Sequence, residues 1–77
     1  MAVQPGVDVV SSDGERLGRL EQLLADFDAD IFDGILVDLE VEPSGRHFAD
    51  AEHVGDIYER AVFLTIPAAE VGKLTRR

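Results

Sequence analysis

The chain has 77 residues, no cysteine and a formal net charge of −9, and these three properties limit what it can be. The length predicts one domain over residues 1–77, and the lack of cysteine excludes disulfides, thiolate metal ligands and cysteine nucleophiles. A surface this negative repels phosphate backbones, so we expect no direct nucleic-acid binding and an attraction for basic proteins instead.

The start of the chain shows no apolar leader, because Asp8, Asp13 and Glu15 interrupt it. No stretch approaches the roughly 20 apolar residues of a membrane span. We therefore expect a soluble, cytoplasmic protein with no membrane insertion.

The first predicted element is a short apolar strand over residues 7–10, followed by Ser11-Ser12-Asp13-Gly14. An Asp-Gly pair suits the positive φ angles of a tight hairpin turn. Residues 11–14 are therefore predicted to turn the chain back on itself.

Segment 16–31 fits two interpretations. Helical spacing, which favours an amphipathic helix, relates Leu17, Leu20, Leu24, Phe27 and Ile31. Gly18 and the alternating aspartates near residue 28 oppose a helix. A strand with a β-bulge near residues 22–24 buries the same leucines, because a bulge resets the alternation of faces. The pattern alone leaves both interpretations open.

The next strand has a clear period of two. Four apolar residues, Ile35, Val37, Leu39 and Val41, alternate with Leu36, Asp38, Glu40 and Glu42. Such alternation predicts one buried face and one acidic face in contact with water. Pro43-Ser44-Gly45 then ends the strand in a hairpin loop.

Three shorter strands and a helix are predicted in the rest of the chain. The strands are expected over 46–49, around Ile57 and Tyr58, and over 61–66, with a turn over 50–53. Pro67 suits the first turn of a helix, so residues 68–74 are predicted to be helical. Residues 75–77 are expected to fray.

The order of these motifs resembles the PRC-barrel family. The resemblance is carried by Asp13-Gly14, Leu17-Gly18 and Leu23-Leu24-Ala25-Asp26, then by Gly34-Ile35-Leu36-Val37, the segment 46–54 and the closing run 61–66. It covers roughly residues 5–74, and Ala49 stands where many relatives carry proline.

The resemblance implies a mainly β fold, namely a small PRC-type β-barrel of about six strands with a short C-terminal helix. It therefore favours the bulged strand over the helix for segment 16–31. Relatives include a domain of the photosynthetic reaction-centre H subunit and half of a ribosome maturation factor that engages a basic ribosomal protein. The resemblance thus implies docking on a larger assembly, with a ribosome-maturation accessory role as one alternative.

An acidic loop offers a candidate cation site at Asp26, Asp28, Asp30 and Asp33. Calcium and magnesium prefer carboxylate oxygens. However, Ile31 and Val37 stand where an EF-hand loop needs Gly and Glu, so a solvated hairpin tip is the competing interpretation.

The sequence gives little support for a zinc site or for catalysis. His47 and His53, with Asp50 and Glu52 between them, match no common zinc spacing, and His47 is predicted to lie on the surface. No serine lies in a glycine-flanked elbow, so we predict no enzymatic activity, no catalytic residue and no cofactor.

The remaining candidates are surfaces for partners. Asp38, Glu40 and Glu42 are predicted to form an acidic stripe on one strand, which is either a solvated outer face that opposes aggregation or a docking surface for a basic protein. Apolar residues left outside a small barrel, Leu36 and Tyr58 among them, would mark an interface. A small core is marginal on its own. The sequence therefore predicts an interaction module that forms a homo-oligomer, with a small cation-binding protein as the alternative.

Overall fold

A computed structural model describes residues 4–26 (for Asp26 the backbone alone), 28 and 31–76. The strands are β1 (Asp8–Val10), β2 (Arg16–Asp26), β3 (Ile31–Leu39), β4 (Gly45–Asp50), β5 (Val54–Ile57), β6 (Ala61–Leu64) and β7 (Thr75–Arg76). Two 3-10 helices, Ala51–His53 and Ala68–Lys73, connect them. The described strands form one curled half-barrel sheet, so the predicted mainly β fold is confirmed.

The sheet order is β5-β6-β1-β2-β3-β4-β7. Strands β2, β3 and β4 form an antiparallel meander of neighbours in sequence. β1 pairs with β2 in the predicted hairpin and runs parallel to β6 on its other side. The described edges of the sheet are therefore β5 and β7.

Residues 16–26 of the ambiguous segment form a bulged strand, as the family resemblance implied, so the helical interpretation is wrong there, and Phe27 lies outside the described residues. The register of β2 against β3 shifts between Leu20 and Gln22, and again between Leu24 and Ala25. The first shift puts both Leu20 and Leu23 on the inner side, Leu20 buried and Leu23 packed against the core. Bulges thus let leucines at non-alternating positions pack against one core.

Two glycines let the central strands approach closely. A Cβ on Gly18 would stand 2.1 Å from the backbone oxygen of Asp38. On Gly34, with φ at +147°, a Cβ would stand 2.2 Å from the backbone oxygen of Ala49. Neither position can hold a side chain unless the strands move apart.

The core lies inside the curl of the sheet. Its buried residues are Val9, Leu17, Leu20, Ile35, Val37, Leu39, Ala49, Val62, Leu64, Val71 and Leu74. The last two come from the C-terminal segment, which closes the core from one side. Phe32 and Ile57 are half-buried against this cluster.

His47 is buried, at 2% exposure, so the predicted surface position is wrong. It stands opposite the inner residue Val37 in the pairing of β3 with β4. Its Nδ1 donates a hydrogen bond to the Gly45 carbonyl at 3.0 Å, which offsets part of the cost of burying the ring.

Several predicted boundaries differ from the structure. β3 ends at Leu39, before Glu40 and Glu42, and β5 ends before Tyr58. The C-terminal helix is a short 3-10 helix and the described strands number seven, against about six expected. Thr75 and Arg76 pair with Phe48 and His47 in β7, so they are not frayed.

In the described part of the chain, no helix is both long enough and apolar enough to cross a membrane.

Candidate functional site

The outer face of β2, β3 and β4 carries the side chains that lie outside the curl. Along β3, Ile35 and Val37 are fully buried, whereas Leu36 is half-buried and Asp38 is exposed. Successive strand residues face opposite sides of a sheet. Leu36 and Asp38 therefore lie on the outer face.

A row of alternating charge crosses this face. Asp38 stands opposite Arg19 of β2 and opposite Arg46 of β4. All three residues are exposed. We call Arg19, Asp38 and Arg46 the charged row.

Apolar side chains continue the outer face away from the charged row, as far as Ile31 at the start of β3, where the register shift between Leu24 and Ala25 reverses the alternation of faces. They are Leu24, Ile31, Leu36 and Phe48, which we call the outer patch. Leu36 is paired with Phe48 in the register, and Ile31 is 53% exposed. The Phe48 ring lies over Gly34, since its Cζ is 2.9 Å from where a Cβ of that glycine would stand. Three strands thus contribute to one apolar surface.

The three residues of the charged row differ in the ion pairs that they make within the chain. Arg46 holds Glu21 through Nε at 2.9 Å and Nη2 at 2.5 Å. Arg19 reaches Glu40 only at 3.5 Å, and its side chain is 65% exposed. Asp38 has no ion pair or hydrogen bond through its side chain among the described residues. Arg19 and Asp38 therefore stand opposite each other without being paired.

A cleft of about 420 Å³ opens at the charged row. Its walls include all three residues of the row and the neighbouring Glu21, and Pro5 and Gly6 add apolar surface. The cleft has room for an incoming side chain that meets both charge and apolar carbon.

The predicted acidic stripe does not lie along one strand. Only Asp38 belongs to β3, and Glu40 and Glu42 follow its end. Arg16 donates hydrogen bonds to both carboxylate oxygens of Glu40, at 2.9 and 3.3 Å, which lowers the pKa of that carboxyl. The charge of Glu40 is therefore neutralised locally, and docking of a basic protein here stays a prediction.

Tyr58 lies on a different part of the sheet from Leu36. It follows β5 and is 53% exposed, with its ring edge-on to Phe63 of β6 at 5.7 Å between centroids. In the sheet order, β6, β1 and β2 separate β5 from β3. The two predicted partner residues thus belong to separate surfaces.

The acidic loop is only partly visible. Asp30 and the side chain of Asp26 lie outside the described residues, whereas Asp28 and Asp33 are exposed. The structure therefore leaves the predicted cation site as a prediction.

A second group of side chains that could bind a metal ion lies at the first 3-10 helix. Asp50, Glu52 and His53 each offer an atom within 4.8 Å of the others. His53 Nδ1 lies 3.0 Å from the buried Asp50 Oδ1, without the alignment of a hydrogen bond. Exposed acidic groups of this kind are common without an ion, so the geometry permits a cation without requiring one.

No protein-family model matches the chain, and no curated protein matches its sequence. The PRC-barrel resemblance therefore stays a prediction based on the order of motifs.

Sequence reasoning identified Leu36 and Asp38 but missed the other members of the outer face. The outer position of Phe48, however, could have been predicted from the sequence. Arg46 and Phe48 are two residues apart on one strand, so they share a face. Because an arginine is rarely buried without a partner, Phe48 had to lie outside with Arg46.

Proposed function

We propose that the chain is a non-enzymatic protein–protein interaction module that associates with itself through the outer face of β2, β3 and β4. The observation that carries the proposal is the outer patch, with Ile31 exposed and Leu36 half-buried on the same face as the charged row. Apolar surface rimmed by charged residues is characteristic of interfaces.

The partner that binds the outer face is a second copy of the chain, because the charges around this face are closer to balance than those of the whole molecule. Two molecules that each carry −9 repel one another over most of their surfaces. On and beside the outer face, three arginines stand against five carboxylates, a local sum of −2: Arg16, Arg19 and Arg46 with Asp8, Glu21, Asp38, Glu40 and Asp50. A second copy is therefore repelled least here.

The sheet edges are poorer places for association. β7 has only two residues. In β5 the register against β6 shifts between Val54 and Ile57, and the intervening Asp56 is exposed. Short, bulged and charged edges oppose strand addition. This supports association through a face.

We also propose that the chain is a PRC-barrel domain. The order of motifs supports this, and a curled, mainly β sheet is what that family requires. We further propose that the associated form docks on a larger assembly with a basic protein as partner, which the net charge of −9 supports.

The test is the molar mass of the purified protein, measured by light scattering from micromolar to millimolar concentration. We expect a discrete multiple of the 8.4 kDa chain. Leu36→Asp should raise the dissociation constant about tenfold or more, because it places a charge in the centre of the apolar contact. Circular dichroism verifies that the variant is folded.

Tyr58→Ser is the matched control, since Tyr58 is an exposed apolar residue on a separate surface. Its mass distribution should equal that of the wild type. A wild type that is monomeric at every concentration overturns the proposal. So does a folded Leu36→Asp protein that still associates, and loss of association in Tyr58→Ser would place the interface on the other surface.

A further inference from the structure

Two members of the charged row, Arg19 and Asp38, stand opposite each other without pairing, and the one ion pair that Arg19 makes among the described residues is the 3.5 Å contact with Glu40. They are register partners on neighbouring strands. Directly opposed residues of opposite charge ordinarily stabilise a sheet by pairing. Here Arg19 extends towards Glu40 at 3.5 Å, and Asp38 has no ion pair among the residues described.

The third member of the row differs from these two. Arg46 makes a two-pronged contact with Glu21, a geometry that holds a guanidinium firmly. The side chain of Arg19 is 65% exposed, by contrast. One cation and one anion at the cleft thus retain capacity for a new partner.

We infer that, in the self-associated form, Arg19 of each copy pairs with Asp38 of the other across a two-fold axis that passes between them. A two-fold interface is self-complementary, so a contact from one residue to another is made twice. Two reciprocal ion pairs result. The cleft of about 420 Å³ beside Asp38 gives the incoming guanidinium room to approach.

This pairing rests on the proposed self-association and names the residues that determine its register. The apolar contact at the outer patch supplies affinity without direction. Opposite charges at fixed places favour one arrangement and penalise others that bring like charges together. Arg19 and Asp38 are therefore specificity-determining residues for the homodimer.

The experiment exchanges the charges one at a time and then combines the variants. Arg19→Asp presents two aspartates to a second copy of itself, and Asp38→Arg presents two arginines. Each variant alone should dissociate about 100-fold more readily than the wild type, because both ion pairs become repulsive. An equimolar mixture should restore a one-to-one heterodimer with a dissociation constant within about tenfold of the wild type.

The outcomes separate this inference from the proposed function. If the wild type associates and either single variant keeps its mass, the pair is not at the interface and the inference is overturned. The inference is also overturned if both variants are monomeric and their mixture remains so. A monomeric wild type would instead remove the proposed function itself. Both residues are exposed, and melting curves of each variant verify that it folds.

Discussion

At the scale of single residues, the centre of the sheet depends on the absence of one side chain. β2 passes so close to β3 that a Cβ on Gly18 would stand 2.1 Å from the backbone oxygen of Asp38. Backbone cannot move aside as the end of a flexible side chain can. Position 18 therefore sets the spacing of the two strands that carry most of the outer face.

We expect Gly18→Ala to lower the free energy of unfolding by about 3 kcal/mol, the upper part of the range for overpacked sites. Elsewhere the same replacement stabilises by restricting the unfolded chain. Gly72→Ala is the matched control, since its new Cβ would meet only Pro43 Cδ at 3.9 Å. Urea unfolding of both variants tests this, and equal midpoints would contradict it.

The face on which a residue lies could be predicted only where a strong preference decided it. Ile35 and Val37 were assigned correctly because β-branched residues alternate there with Leu36 and Asp38. His47 was assigned to the wrong face. Its burial follows from the pairing of β4 with β3, which puts it opposite Val37, and from a hydrogen bond to a nearby carbonyl. The strand's own pattern held one signal, since Arg46 favours the outer face and alternation then turns His47 inward.

At the scale of elements, the 3-10 helix Ala68–Lys73 and the residue after it close the core. Val71 and Leu74 are 2% and 5% exposed and join the cluster formed by the sheet. Between them, Gly72 and Lys73 are exposed. The segment thus contributes two apolar contacts rather than a regular helical face.

Leu74→Ala should destabilise the fold by about 2–5 kcal/mol, the range for removing a buried leucine side chain. Lys73→Ala is the neighbouring control. It removes only an exposed ion pair with Glu70, a kind of contact that contributes about 0.2–1 kcal/mol. Thermal unfolding of the two proteins decides the matter, and similar melting temperatures would show that the segment does not close the core.

The type of each secondary-structure element was easier to predict than its first and last residues. The strand after Gly34 was recognised from its alternation, but its end was placed at Glu42 instead of Leu39. The alternation of apolar and acidic residues continues to Glu42, whereas β3 itself ends at Leu39. β7 was missed because its two residues carry no strand signal of their own, and they are ordered by pairing with β4.

At the scale of the whole molecule, contacts between distant parts of the chain hold the first turn to the C-terminal segment. Ser12 N–H donates to the Ile66 carbonyl at 2.8 Å. Asp13 Oδ1 accepts from the Ser11 hydroxyl and from the Ala68 N–H. These hydrogen bonds, the one from Ser11 first, lower the pKa of Asp13.

This shift predicts how stability depends on pH. A carboxyl with a lowered pKa stabilises the fold above its ordinary pKa, and the contribution is lost as pH falls through the lowered value. Asp13→Asn should therefore lower the melting temperature at pH 7, and its difference from wild type should shrink below about pH 4. Asp56→Asn, which removes no hydrogen bond among the described residues, should change the melting temperature little. A constant difference for Asp13→Asn would contradict the prediction.

The parallel pairing of β1 with β6 has a consequence for the order in which the chain folds. Asp8 and Ala61 meet across about 50 intervening residues, and closing so long a loop is slow compared with forming the hairpins of the β2–β4 meander. In a folding chain, the meander can therefore form before β1 and β6 meet. The outer patch and the charged row lie wholly on that meander, so the surface proposed for a second copy is complete while the core is still open. The proposed self-association can therefore begin between chains that have not yet finished folding, and it would then compete with closure of the core.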